Sequence, residues 1–181
     1  MPSLDLLSAT DVAKIGEMVT WGTKIKDIGW VVRKPQAENY ARKLYAAMNK
    51  RPPNGAPGSA TSKSLKLTDR MQYVALAAEY QDAVKRGTDR NDAMLAVYRQ
   101  HFQWLRAQPP ENRISSSIWM ELSRKLDCRI ARLVRCGCCG GQHVVEKETV
   151  RDMPKCMWCS HSMPVHQFVS SQQHHRHLKT G

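Results

Sequence analysis

The stretch Cys136-Gly-Cys-Cys-Gly-Gly-Gln-His143, with the later Lys155-Cys-Met-Trp-Cys159, decides the fold of the C-terminal part of this chain. It contains two Cys-x-x-Cys pairs separated by sixteen residues. Two intervening residues let the chain turn so that both thiolates of a pair reach one ion, at about 2.3 Å for zinc. The spacing is typical of a four-cysteine zinc site. We therefore predict one structural Zn²⁺ per chain, with these ligands: Cys136, Cys139, Cys156 and Cys159.

Four thiolates complete a tetrahedral shell, so this zinc is expected to be structural and not catalytic. Cys138 is the alternative to either member of the first pair, but only Cys136 and Cys139 have the two-residue spacing. We interpret Cys138 as a free thiol or one beside the site. Cys128 is interpreted as a small buried hydrophobe. The histidines that follow the second pair, His161 and His166, are less favoured substitutes for a cysteine.

The composition of the 181 residues is that of an ordinary globular protein, with 41% hydrophobic and 24% charged residues. No apolar run reaches the roughly 20 residues that cross a bilayer. The N-terminus lacks the basic and apolar stretches of a signal peptide. We expect a cytoplasmic protein, in which reducing conditions favour metal-bound cysteines over disulfides.

Apolar residues recur at helical spacing in five segments. We predict helices over about residues 10–28, 35–48, 68–86 and 89–107, and a fifth that begins after Ser117 and continues through Ile130 and Leu133. A short strand is predicted over residues 143–147, with Val150 opening its return. The predicted class is mostly α, with a helical body over 1–133, a small four-cysteine zinc-ribbon-like subdomain over 134–165 and a flexible tail over 166–181.

The formal charge of +12 predicts a polyanionic partner, most often nucleic acid. Residues 24–70 hold eleven Lys and Arg against three acids, and residues 113–135 hold six against two, whereas residues 71–112 are neutral. The alternative is a basic surface that only keeps the protein soluble, but that would not leave a neutral middle. The first two predicted helices are joined by a short turn, and the second is basic. This pattern is compatible with a DNA-binding helix-turn-helix. The candidate DNA-binding residues are Arg33, Lys34, Arg42, Lys43, Arg124, Arg129 and Arg132.

No catalytic constellation is present in the sequence. It has no Gly-rich phosphate loop, no G-x-S-x-G motif and no Asp, Glu and His at a spacing that defines a site. We expect a protein that is not an enzyme.

The first predicted helix carries apolar residues on several faces. Such a helix is usually buried on several sides, and leftover apolar surface marks an interface. This pattern predicts a partner chain, and the alternative is that the third helix covers the apolar surface. The residues are Val12, Ile15, Met18, Val19, Trp21, Ile25 and Ile28.

Two stretches of the chain resemble the flagellar transcriptional activator FlhC family. The cysteine segment is similar in its Cys-x-Cys-Cys-Gly-Gly opening at Cys136 and in the gap to Cys156-Met-Trp-Cys159. The segment Glu17-Met-Val-Thr-Trp-Gly-Thr-Lys-Ile25, then Arg42-Lys-Leu-Tyr45 and Pro52-Pro-Asn-Gly55, is similar to the N-terminal helices and proline-rich loop of the family. The resemblance covers about a third of the chain, and residues 60–115 match poorly.

The resemblance implies a mostly helical protein with a C-terminal zinc subdomain and the same four cysteine ligands. It implies a hetero-oligomer with an FlhD-like subunit, binding to double-stranded promoter DNA, and recruitment of RNA polymerase to class 2 flagellar genes. Similar activators on conjugative elements control transfer genes, so both regulons stay open. The alternative from another class is a zinc-ribbon module that binds only protein.

Overall fold

The structure is a computed structural model, and it describes residues 7–53, 67–109, 113–146, 155–156 and 158–160. These ranges hold six helices and one strand pair, which confirms the predicted mostly α class. The elements are α1 (Ala9–Thr20), α2 (Ile25–Val32), α3 (Ala37–Ala47), α4 (Leu67–Lys85), α5 (Arg90–Ala107), α6 (Ser116–Asp127), β1 (Ala131–Arg135) and β2 (Gln142–Glu146). Among the described helices, none has both the length and the apolar character that crossing a membrane requires.

The single first helix predicted over residues 10–28 is wrong, because the chain turns between α1 and α2. Gly22 has a φ of +74°, the left-handed conformation that favours glycine. The N–H groups of Gly22 and Thr23 bond back to carbonyls in the last turn of α1, which caps that helix. Gly22 therefore ends the helix, and the end predicted near residue 28 lies inside α2.

Many apolar residues of α1 and α2 are buried within this chain. Ile15, Met18 and Ile28 are fully buried, and Trp21 packs on Tyr98 of α5 with ring centroids 5.0 Å apart. Most of the cover comes from the mutual packing of α1, α2 and α3, which lie against one another. Intramolecular packing therefore accounts for the buried members of this pattern, whereas Val12, Trp21 and Ile25 stay half-buried, and the partner chain remains a prediction.

Trp119 of α6 lies at the centre of the main core and is fully buried. Its indole N–H donates to the Met94 carbonyl of α5 at 3.0 Å. Tyr80 and Tyr73 of α4 approach its ring edge-on, with centroids 5.8 and 6.4 Å away. Aromatic pairs favour this geometry. One side chain thus joins α4, α5 and α6.

Buried polar contacts fix the start of α6 to the turn between α1 and α2. The hydroxyl of Thr23 donates to that of Ser116 at 2.8 Å, and the N–H of Lys24 donates to Ser117 at 2.9 Å. Tyr45 of α3 donates to the Thr23 carbonyl at 2.6 Å, and burial raises its pKa to about 12. The Thr23–Ser116 and Tyr45–Thr23 bonds are buried, so breaking either leaves a buried polar group unsatisfied.

The predicted continuation of the last helix through Ile130 and Leu133 is wrong. Helix α6 ends at Asp127, Arg129 adopts a left-handed φ of 57°, and the chain then enters β1. Strand β2 pairs antiparallel with β1, with Leu133 opposite Val144. The predicted strand over residues 143–147 is confirmed within one residue, but its partner is β1, and the predicted return at Val150 lies outside the described residues.

The strand pair crosses the predicted domain boundary. The division between residues 133 and 134 falls inside β1, which has Ala131 in the main core. The predicted tail, residues 166–181, lies outside the described part of the chain.

Exchanging Gly22 and Gly16 for alanine tests the break between α1 and α2. We expect Gly22→Ala to lower the free energy of unfolding by about 1–2 kcal/mol, because an L side chain is strained at positive φ. Gly16→Ala is the matched control, since its Cβ meets nothing within 4 Å inside α1. There alanine should raise stability by about 0.5–1 kcal/mol. Urea unfolding measures both, and a Gly22→Ala as stable as Gly16→Ala would contradict the break.

Candidate metal centre

The first cysteine pair lies in the loop that joins β1 to β2. The strands end at the pair Arg135 and Gln142, and Cys136 follows β1 directly. The Cys136 N–H donates to the Gly141 carbonyl at 2.8 Å, and the Gly140 N–H returns to the Cys136 carbonyl at 2.9 Å. Gly140 has a φ of +72°, the left-handed conformation that favours glycine. The strand pair therefore holds both cysteines in one tight loop.

The second pair repeats this local geometry in a separate segment. The Ser160 N–H donates to the Cys156 carbonyl at 2.8 Å, and Ser160 has a φ of 58°. The Trp158 N–H donates to the Cys156 sulfur at 3.4 Å, as the Cys138 N–H donates to the Cys136 sulfur at 3.4 Å. The two segments are therefore two copies of one cysteine turn.

The four sulfur atoms meet at one point and all lie within 4.8 Å of one another. Two of the separations join the segments: Cys136 to Cys159 at 3.8 Å, and Cys139 to Cys156 at 3.6 Å. A disulfide requires about 2.05 Å, so these are thiol contacts. A tetrahedron with zinc–sulfur bonds of about 2.3 Å has edges of about 3.8 Å. The group therefore has the size to hold a metal ion of this kind.

Backbone N–H groups favour the thiolate form of Cys136. Donation from Cys139 and Cys138 lowers the pKa of the Cys136 thiol to about 7. The Gly141 N–H points at the Cys139 sulfur at 3.4 Å. A metal ligand must be a thiolate, so the donors from Cys139 and Cys138 favour a cation beside Cys136. At Cys139 the Gly141 donor is outweighed by burial and by the Cys156 and Cys136 thiols, which raise the pKa of that thiol.

His143 is a site residue that the sequence reasoning did not identify. It is buried on β2, and its Nε2 lies 3.2 Å from the Cys156 sulfur. Burial lowers the pKa of its imidazole, which favours the neutral ring. A metal-bound Cys156 thiolate would only accept, so with a metal in place Nε2 would carry the hydrogen and donate. The alternation of side chains along a strand could have identified it, because residues 143 and 145 lie on the same face.

The two faces of the strand pair have different partners. Leu133 and Val144, which are paired across the strands, pack against the main core. Val134 and Val145 pack around Cys136 and Cys156 in a second, smaller core. The strand pair therefore connects the helical body to the cysteine group.

Trp158 closes the outer side of the cysteine group. Its indole N–H donates to the Gln142 carbonyl at 3.1 Å, and its ring lies over Gly141. A Cβ at Gly141 would lie 2.2 Å from the ring, so only glycine permits this approach. Trp158 nevertheless remains 48% exposed.

The remaining cysteines stay outside the group. Cys138 is an exposed free thiol, and only its backbone N–H contacts the site. Cys128 is exposed, so its interpretation as a buried hydrophobe is wrong. It caps the end of α6, where the chain leaves the core. The alternative ligands His161 and His166 lie outside the described residues.

Of the seven candidate DNA-binding residues, three are engaged in ion pairs. Lys34 contacts Asp11 at 3.1 Å, and Arg42 contacts Glu38 at 3.3 Å, with both cations partly exposed to solvent. Arg124 makes two contacts. It contacts Asp27 at 3.0 Å, and its guanidinium lies 4.5 Å from the centroid of the Trp30 ring.

The other four candidate DNA-binding residues differ in their exposure to solvent. Arg33, Lys43 and Arg129 are exposed and make no ion pair with any described carboxylate. Arg33 ends α2 and Lys43 lies on α3, while Arg129 lies in the turn before β1. Arg132 is half-buried within β1, opposite Val145. The first three therefore have charges available to a polyanion.

Serine variants of neighbouring cysteines test the ligand set. We expect Cys136→Ser and Cys156→Ser to lose the metal, because a serine hydroxyl is a poor replacement for a thiolate. They should also lose amide-exchange protection in β1 and β2, since metal binding energy is folding energy there. Cys138→Ser is the matched control and should retain one metal ion per chain by elemental analysis. Loss of metal by Cys138→Ser with retention by Cys136→Ser would show that the ligands are assigned wrongly.

Removing the His143 donor tests its contact with Cys156. We expect His143→Leu to lower metal affinity by about 10–100-fold, the usual effect of removing a hydrogen-bond partner of a ligand. His143→Gln retains an N–H donor and should recover part of the affinity. His101→Leu, which removes a half-buried histidine bonded to Glu79, is the control. Competition with a chelator measures the affinity, and equal values for His143→Leu and the control would refute the role.

Comparison with known proteins assigns no family to this arrangement. No protein-family model matches the chain, and no curated protein matches it. The support for a function therefore comes from the cysteine geometry, the charge distribution and the residues of the resemblance.

Proposed function

We propose that this chain is a zinc-containing, DNA-binding transcriptional activator that acts with an FlhD-like partner subunit. The observation that carries the proposal is the combination of a closed four-cysteine group with exposed, unpaired cations on the described surface. The group supplies rigidity, and the cations supply attraction to DNA phosphates. No bond-making step is proposed.

Zinc is the ion that best fits the cysteine group. Four thiolates at tetrahedral spacing are the usual ligands of structural zinc, and they leave no open position for a substrate. Soft sulfur ligands disfavour magnesium and calcium, which prefer oxygen. The role of the zinc is to hold the segment of Cys156 and Cys159 against the β1–β2 loop.

Electrostatic attraction supports DNA as the polyanion. The chain carries a formal charge of +12, and lysine and arginine contacts to phosphates release counterions. Arg33, Lys43 and Arg129 are the strongest contacts to propose, because no described carboxylate competes for them. Lys34 and Arg42 can exchange a surface ion pair for a phosphate at little cost. Arg124 contributes least, because Asp27 offsets its charge.

Only the resemblance supports three parts of the proposal: the partner subunit, RNA polymerase and the promoter class. The FlhC-like residues around Cys136 and Trp21 support an activator of class 2 flagellar genes. Activators of conjugative transfer genes share the same features, so this regulon is the alternative. Gene context separates the two, because motility genes or transfer genes would lie beside this one.

A protein-binding module is the second candidate, and two exposed apolar residues in the C-terminal part of the described chain favour it. Trp158 is 48% exposed and Ile130 is 43% exposed. Large exposed apolar side chains are common at protein interfaces. This candidate predicts no affinity for DNA, so the DNA experiment decides between the two.

Two double variants test whether the unpaired cations bind phosphates. We expect Arg33→Gln with Lys43→Gln to weaken binding to a short fluorescent duplex and to reduce the salt slope by about 1.8, or about 0.9 for each phosphate that is no longer neutralised. The matched control is Lys85→Gln with Arg86→Gln, which removes one lysine and one arginine from the neutral middle of the chain. Fluorescence anisotropy over a salt series, with and without a co-expressed FlhD-like subunit, is the measurement.

Two results would count against DNA binding by these residues. One is an affinity for the duplex that does not change over a several-fold range of salt. The other is equal weakening by the test variant and the control, which would show a response to net charge alone.

A further inference from the structure

A cavity of about 350 Å³ lies between α1, α5 and the start of α6, on described residues that the cysteine group does not use. Small-molecule sites are commonly clefts of about 300–1,000 Å³, so the volume is sufficient for a small organic ligand. Its lining combines charged side chains with aromatic rings. The cavity therefore has both chemical components of a binding site.

Three cations from separate elements line this cavity. Lys50 follows α3, Arg106 lies in the last turn of α5, and Arg113 precedes α6. All three are exposed and none makes an ion pair with a described carboxylate. The described lining residues include no Asp or Glu. Like charges brought together repel, so this arrangement favours a bound anion.

An aromatic cluster lines the same cavity. Trp21 lies 5.0 Å from Tyr98 and 6.1 Å from Phe102 by ring centroid. Tyr98 is buried and donates to the Ile114 carbonyl at 3.2 Å, so it fixes the cluster to the core. Trp21 and Phe102 are half-buried and retain surface toward the cavity. A planar ring can stack on such surfaces.

The start of α6 adds a further attraction for negative charge. Ser115 lines the cavity and is the N-cap of this twelve-residue helix. The N-terminus of a helix carries a partial positive charge that favours anions, phosphate among them. Arg113 lies two residues before this cap, so its side chain and the helix dipole act on the same region.

We propose that this cavity binds a phosphorylated aromatic small molecule of the nucleoside monophosphate class. The phosphate contacts Arg106, Arg113 and Lys50, and the planar ring packs on Trp21 and Phe102. A phosphate dianion suits three cations, and arginine binds phosphate through paired N–H donors. The site is separate from the proposed zinc and DNA contacts, so the chain would have a small-molecule input in addition to its proposed DNA-binding role.

Titration with adenosine monophosphate tests both halves of the proposal on the full-length protein. Isothermal titration calorimetry at fixed salt compares it with adenosine, which lacks the phosphate, and with inorganic phosphate, which lacks the ring. We expect adenosine monophosphate to bind at least about tenfold more tightly than either fragment, because it makes both sets of contacts. Binding should also raise the melting temperature, since the ligand stabilises the folded state.

Variants assign the binding to this cavity. We expect Arg113→Gln to lower the affinity for adenosine monophosphate by about tenfold or more, because it removes a hydrogen bond to a charged group. Arg86→Gln, an exposed arginine away from the cavity, should leave it unchanged. Phe102→Leu should weaken the binding of adenosine monophosphate but not that of inorganic phosphate. Circular dichroism checks that each variant remains folded.

Three results would overturn the proposal. The first is no binding of adenosine monophosphate by the wild-type chain, and the second is equal affinity in Arg113→Gln and Arg86→Gln. The third concerns DNA, whose backbone presents the same phosphate group. If Arg113→Gln weakens binding to a short duplex while no mononucleotide binds the wild type, the cavity contacts DNA instead of a free ligand.

Discussion

The C-terminal part of this protein depends on the convergence of four sulfur atoms from two segments. The β1–β2 loop fixes the positions of Cys136 and Cys139. Cys156 and Cys159 lie in a separate segment, which contributes neither β1 nor β2. As thiolates, sulfurs about 3.7 Å apart would repel one another unless a cation lay between them. N–H donors to the sulfurs and the imidazole of His143 reduce this repulsion but do not remove it. A bound metal ion is the simplest source of the missing attraction.

This constraint extends into the helical body because the strand pair belongs to both cores. One face, with Leu133 and Val144, packs on the main core, and the other, with Val134 and Val145, surrounds the sulfurs. Fixing the cysteine group therefore fixes β1, and β1 in turn fixes the end of α6. Arg129, proposed to contact DNA, lies in the turn between them. Metal binding would thus set the position of at least one side chain that we propose contacts DNA.

Some features could be predicted from the sequence because they depend on local chemistry. The cysteine spacing predicts the two-segment site, and helical periodicity predicts α3, α4 and α5. Periodicity does not predict the break at Gly22, because the apolar spacing continues through it. The helix ends there because Gly22 adopts a left-handed conformation. Periodicity does not predict the strand at residues 131–135 either, because Ile130 and Leu133 also fit the apolar face of a helix. The cavity beside α6 could not be predicted at all, since its cations and aromatic rings are brought together only by tertiary packing.

X-ray absorption at the zinc edge tests the central claim most directly, using the full-length protein purified with its native metal. The account predicts a single shell of four sulfur ligands at about 2.3 Å, with no light-atom ligand. The same spectrum from Cys138→Ser should be unchanged, because that thiol lies outside the group. A shell containing nitrogen or oxygen, or a protein with no zinc and with cysteines joined in disulfides, would contradict it.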